Sequence, residues 1–170
     1  LVTAFVDDNA AYLSVIETRD GREDKEYKTK MSYFTSLPPS IGDVNGDGDV
    51  DIVVATYDNI SIFTIENGNL VEVTPPGGLK SRNEFCEEAN GTPAGLFGGT
   101  AIADIDNDGV NNIIAADETF IGCEGHIYNF QLNKDWTINE DKSKSVSLGD
   151  RSIGVEVSLW RIWNLNSKKD

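Results

Sequence analysis

An all-β chain of repeated antiparallel units, the kind that forms propeller blades, is what the sequence predicts. Three observations predict it. Segments of alternating apolar and polar residues recur in the order strand, strand, turn, strand. Two of these units are preceded by acidic loops of matching spacing. No stretch carries the period of a helix of ordinary length.

The first unit starts with Leu1–Asp7 and Ala11–Glu17, turns at Arg19–Gly21 and continues in a polar strand through Tyr27. The second runs through Asp51–Asp58 and Ile60–Glu66, turns at Asn67-Gly68 and ends with Leu70–Thr74. Asn-Gly is a strong hairpin signal, because the type I′ two-residue turn needs positive φ at both central positions. The third unit has Asn112–Asp117, a longer loop, His126–Leu132, a turn at Asn133–Asp135 and a strand at Trp136–Ile138. Leu159–Trp163 reads as the first strand of a further unit, with Asn164–Asn166 and Asp170 as a shortened acidic loop. The expected units within one propeller segment are therefore approximately 1–30 (a partial blade), 31–80, 81–145 and 146–170 (the start of a further blade). Pro38-Pro39, Pro75–Gly78 and Gly91–Gly99 read as loops between them.

Propeller rings usually hold about 4 to 8 blades, so about three units imply part of a longer propeller or a ring shared with another chain. The alternative architecture is a sandwich with repeated hairpins.

Fourteen Lys and Arg stand against 29 Asp and Glu, a formal net charge of -15 over 170 residues. Such a field disfavours nucleic acid as a partner, and its self-repulsion falls if carboxylates converge on a divalent ion. No apolar run reaches the roughly 18 residues of a membrane span, so direct membrane insertion is not expected. Leu1–Ala10 lacks a signal-peptide pattern, which decides nothing about compartment because signals are removed. Cys86 and Cys123 have neither zinc nor redox spacing, and both a disulfide and two free thiols stay open. Asn59-Ile60-Ser61 and Asn90-Gly91-Thr92 are sequons, which also arise by chance.

The acidic loops read Asp43-Val44-Asn45-Gly46-Asp47-Gly48-Asp49-Val50-Asp51 and Asp104-Ile105-Asp106-Asn107-Asp108-Gly109-Val110-Asn111-Asn112. Both place oxygen-bearing side chains at positions 1, 3, 5 and 9. Calcium takes about 6 to 8 oxygen ligands, so a short loop must turn sharply to aim them at one point. Gly48 and Gly109, at position 6, permit that turn. Position 7, Asp49 or Val110, can supply a backbone carbonyl, which explains why valine is tolerated there. An EF-hand would need a bidentate Glu at position 12 between helices, where Val54 and Ala115 stand in strand-like segments. Magnesium fits less well because it demands a near-ideal octahedron. Plain Asp/Asn/Gly turns are the bland alternative, weakened by the recurrence of two loops before the same strand pattern. Asn112 replaces a carboxylate, so the second loop is expected to bind more weakly.

These residues resemble FG-GAP or VCBS repeats, the calcium-binding blades of integrin α-subunit propellers and many secreted proteins. Phe97-Gly98 matches the FG element, Asp104 to Gly109 the calcium loop, and Ile113–Asp117 stands at the GAP position without its letters. In the preceding copy Phe34-Thr35 replaces FG, while the calcium loop is better preserved. The resemblance implies one ion on Asp43, Asn45, Asp47 and Asp51 with the Asp49 carbonyl, and a second on Asp104, Asp106, Asp108 and Asn112 with the Val110 carbonyl. It also implies a location outside the cytosol, extracellular or at the cell surface.

Two calcium ions are thus the expected cofactors, and their expected role is to stabilise blades. Bound calcium would keep the carboxylates ionised, which removes the raised pKa a general acid needs. His126 is the only histidine and sits in an alternating strand, and no Gly-x-Ser-x-Gly, HExxH or P-loop occurs. The chain is therefore expected not to be an enzyme. The leading expectation is a recognition or adhesion module with a protein or glycan partner. The alternatives are a propeller segment of a secreted carbohydrate-active enzyme and a structural subunit of a surface assembly. Trp136, Trp160 and Trp163 suit either sugar stacking or a core, and the insertions at 84–90 and 120–125 suit binding.

Overall fold

Alternation along the strands places successive side chains on opposite faces, and the faces stack. The computed structural model describes residues 1–7, 9–19, 22–31, 35, 37–56, 59–80, 96–118 and 125–149. Among these residues all regular structure is β, in three antiparallel sheets.

The first sheet joins β1 (Val2–Asp7), β2 (Ala10–Arg19) and β3 (Arg22–Met31) in chain order. The second joins β4 (Ser40–Gly42), β5 (Asp51–Ala55), β6 (Asn59–Glu66) and β7 (Asn69–Glu72), with β8 (Leu79–Lys80) on another stretch of β6. The third is a meander of β9 (Leu96–Ala103), β10 (Asn112–Glu118), β11 (Gly125–Phe130) and β12 (Lys144–Gly149). Each acidic loop joins the first two strands of its sheet, β4 to β5 and β9 to β10.

The middle sheet is covered on both faces. Ile52 and Val54 of β5, with Phe63 and Leu70, share a cluster with Leu13, Val15, Tyr27 and Met31 of the first sheet. Val53 and Ala55, with Ile60 and Ile62, pack instead with Ile113, Ala115 and Tyr128 of the third. This double burial explains why β5 reads as a continuous apolar run. The sheets stack face to face, each built around a short meander, the arrangement expected of neighbouring propeller blades.

The hairpin at Asn67-Gly68 forms as expected, with φ of 51° and 77° and Glu66 opposite Asn69. The expected turn at Arg19–Gly21 includes residues outside those described.

Several expectations need correction. Residues 96–99 belong to β9 and not to a loop. Thr100 pairs with Ala115 and Phe97 with Asp117, so Gly98 and Gly99 face Ala116 alone across a bulge, with Gly99 at φ +116°. Glycine, depleted in strands, marks a bulge there. The third unit does not close with a strand at Trp136–Ile138. Trp136 lies in a turn at φ +66°, and only Ile138 bridges back, to Leu132. The outer strand of that sheet is β12. Trp136 packs against the core shared by the second and third sheets. Phe34, Cys86, Asn90, Cys123, Leu159–Trp163 and Asn164–Asp170 lie outside the described residues.

Candidate metal centre

Both loops curl because side-chain oxygens capture backbone amides two to seven residues away, the way short polar side chains make turns. In the first loop the Asp43 carboxylate accepts the amides of Gly46 (2.7 Å) and Gly48 (2.9 Å). Asn45 Oδ1 accepts the Asp47 amide (3.1 Å), and Asp47 Oδ1 accepts that of Asp49 (2.8 Å). Asp51 Oδ2 reaches back to the Val44 amide (2.9 Å).

The second loop repeats this wiring. Asp104 accepts the amides of Asp108 (3.2 Å) and Gly109 (3.0 Å), Asp108 Oδ1 that of Val110 (2.9 Å), and Asn112 Oδ1 that of Ile105 (3.2 Å). Position 6 is left-handed in both loops, at Gly48 (φ 98°) and Gly109 (φ 90°). Position 4 is left-handed too, at Gly46 (φ 75°) and Asn107 (φ 56°). The only sign of position 4 in the sequence is residue type, since glycine and asparagine take this conformation most readily.

One carboxylate oxygen from each of Asp104, Asp106 and Asp108 lies within 4.8 Å of the others. Among the described residues no such group of three acidic side chains forms in the first loop, where position 3 is Asn45. There Asn45 is buried and its Nδ2 donates to Asp47 Oδ2 (2.8 Å). Asp49 is exposed, and Val110 is half-buried with its Cγ2 close to Gly46.

Position 9 separates the loops chemically. Asp51 is fully buried, and its Oδ1 has no hydrogen-bond partner. Burial pushes the Asp51 carboxyl up to about 6, against the opposing pull of the Val44 amide and the Thr64 hydroxyl. A buried, unpartnered carboxylate oxygen is a group that a cation would satisfy. In the second loop the buried side-chain atom left without a partner is Asn112 Nδ2, a donor that repels cations.

The exposed carboxylates behave oppositely. The Asn45 amide and the Asp49 backbone hold Asp47 below the usual carboxylate range. Gln131, the Val110 amide and Lys142 do the same for Asp108. Asp106 and Asp108 in turn raise Lys142.

The surrounding groups come from far along the chain and carry no local signal in the sequence. Gln131 Nε2 donates to Asp108 Oδ2 (2.9 Å), and Lys142 Nζ donates to Asp106 Oδ2 (2.6 Å). The Asn111 amide nitrogen donates to the Asp43 carbonyl (2.8 Å), which ties the second loop to the first.

His126 lies well away from the loops, near the far end of β10. Its backbone amide donates to Asp117 Oδ1 (2.5 Å), and the Tyr128 hydroxyl to Asp117 Oδ2 (2.6 Å), all three residues being buried. Asn59 is half-buried with its Oδ1 enclosed, which disfavours a glycan there.

Residues 43–115, a span holding both acidic loops, match the family model of an FG-GAP-like repeat. No curated protein and no solved structure matches the chain.

Proposed function

Because residues 43–115 carry an FG-GAP-like repeat within stacked antiparallel sheets, we propose that this protein is a calcium-stabilised, non-catalytic recognition module. It acts outside the cell or at its surface, on a protein or glycan partner. The observation that carries the reading is the pair of like-wired acidic loops at equivalent places in adjacent sheets, one with three converging carboxylates.

Asp43, Asn45, Asp47 and Asp51, with the Asp49 carbonyl, hold the first ion. Asp104, Asp106, Asp108 and Asn112, with the Val110 carbonyl, hold the second. Bound calcium supplies a divalent charge that offsets carboxylate repulsion and completes the coordination of hard oxygens. The chain's own part is to pre-curl both loops through the amide bonds described above and to bury position 9 at the root of the following strand. The unpartnered Asp51 Oδ1 supports the first site as the tighter one, and the Asn112 amide supports weaker binding at the second.

Stabilisation by a ligand follows mass action, at about 2.7 kcal/mol per site when free calcium is roughly a hundredfold above Kd. That dependence favours an extracellular setting, where calcium is millimolar. The burial of His126 against Asp117 and Tyr128 supports a structural role for the only histidine.

Calcium titration by calorimetry, with melting in calcium and in chelator, tests the reading on the wild type and on Asp47→Ala and Asp108→Ala. Two sites are expected, one lost in each variant, with stability rising with calcium. Absence of binding together with unchanged melting would reduce both loops to turns.

A further inference from the structure

Lys142 stands 36 residues from Asp106 in the chain, yet its Nζ lies 2.6 Å from Asp106 Oδ2 and 3.4 Å from Asp108 Oδ2. A monovalent cation thus rests on two of the three converging carboxylates of the second loop. The turn that presents it is anchored to the third sheet. The Lys142 amide donates to the Asn139 carbonyl (3.2 Å), and the Lys142 carbonyl accepts from Asn129 Nδ2 (3.1 Å).

Ser143 continues the anchoring, because its hydroxyl both accepts from the Gln131 amide (3.0 Å) and donates to the Gln131 carbonyl (3.3 Å). Gln131 itself is buried and grips Asp108. In the first loop the corresponding aspartate, Asp47, is instead bonded by a neutral group, the Asn45 amide.

We propose that Lys142 is a tethered competitor for calcium at the second loop, holding Asp106 and Asp108 when the ion is absent and leaving them when it binds. The inference rests on the calcium reading above. An ammonium is a compact point charge with donors only. It relieves the repulsion between the two carboxylates but cannot share their oxygens with a divalent ion without opposing it. The lysine therefore keeps the metal-free loop closed and shifts calcium binding to higher concentration. Because its turn leads directly into β12, its release couples calcium at the loop to the outer edge of the third sheet.

The test is calcium titration of the full chain in an Asp47→Ala background, which leaves the second loop to be read alone, with Lys142→Met and Lys142→Arg added in turn. Binding about two- to fivefold tighter in Lys142→Met, the range expected when an exposed ion pair is removed, with affinity near that of the background in Lys142→Arg, supports competition. Acylation of the Lys142 amine, followed by mass spectrometry with Lys142 otherwise intact, should accelerate on adding calcium. Calcium bound equally well or more weakly by Lys142→Met, or a labelling rate unchanged by bound calcium, overturns the proposal while the calcium reading stands. Failure of the background and of both variants to bind calcium overturns the calcium reading of this loop, and the proposal with it.

Discussion

At the scale of single residues, Asp51 shows how a metal loop sets its own electrostatics. Its carboxylate is fully buried, has one oxygen without a partner, and is pushed up to about 6. A folded-state value above the unfolded one favours the protonated form of the native state. Its contribution to stability is therefore complete below about pH 4 and is lost as pH rises through 6. In chelator, the wild type should lose melting temperature between pH 4 and 7 relative to Asp51→Asn, which has nothing to ionise. Calcium should remove that difference in the wild type, and Asp51→Asn should bind calcium more weakly at the first loop. A pH profile identical in the two proteins without calcium would contradict the burial argument.

Among elements, β5 and β6 matter most because the middle sheet is packed on both faces. Phe63 is fully buried between the first and second sheets, with Leu13, Val15 and Leu70 in its cluster. Truncating a buried aromatic removes transfer energy and leaves a cavity. Phe63→Ala should therefore lower stability by about 3–5 kcal/mol, read from urea unfolding in saturating calcium. Val146→Ala, on the exposed outer strand β12, should change it by less than about 0.5 kcal/mol. Equal effects would mean that the sheets do not share the core described here.

On the scale of the whole molecule, the two loops are neighbours and not independent sites. Asn111, the residue between Val110 and Asn112, donates to the carbonyl of Asp43, and Val110 packs beside Gly46. An ion that orders one loop should therefore lower the ordering cost of the other, which is positive coupling. The second loop of the wild type, filled after the first, is expected to bind its ion a few-fold more tightly than the same loop does alone in Asp47→Ala. Asn111→Ala should reduce that advantage. Coupling unchanged in Asn111→Ala would sink the idea that this bond carries it. Among the described residues no helix is long and apolar enough to cross a membrane.

The sequence by itself determined the parts of this protein that depend on neighbours in the chain. Period-two alternation marked the central strands, Asn67-Gly68 marked its hairpin, and the spacing of Asp, Asn and Gly marked both loops, because turns and strand faces are set within a few residues. Only the tertiary structure decided the rest. The short β4 carries too few residues for a period, and Gly98 and Gly99 masked β9 because glycine in a strand gives no apolar signal. Trp136–Ile138 alternated like a strand yet turned aside, since β12 supplies the longer partner for β11. Gln131, Lys142 and Asn111 reach the loops from distant or facing segments, and the side chain of Asp51 becomes a raised carboxyl only once neighbouring strands exclude water from it. Contacts of that kind exist only after folding has brought separate stretches together, and no local pattern encodes them.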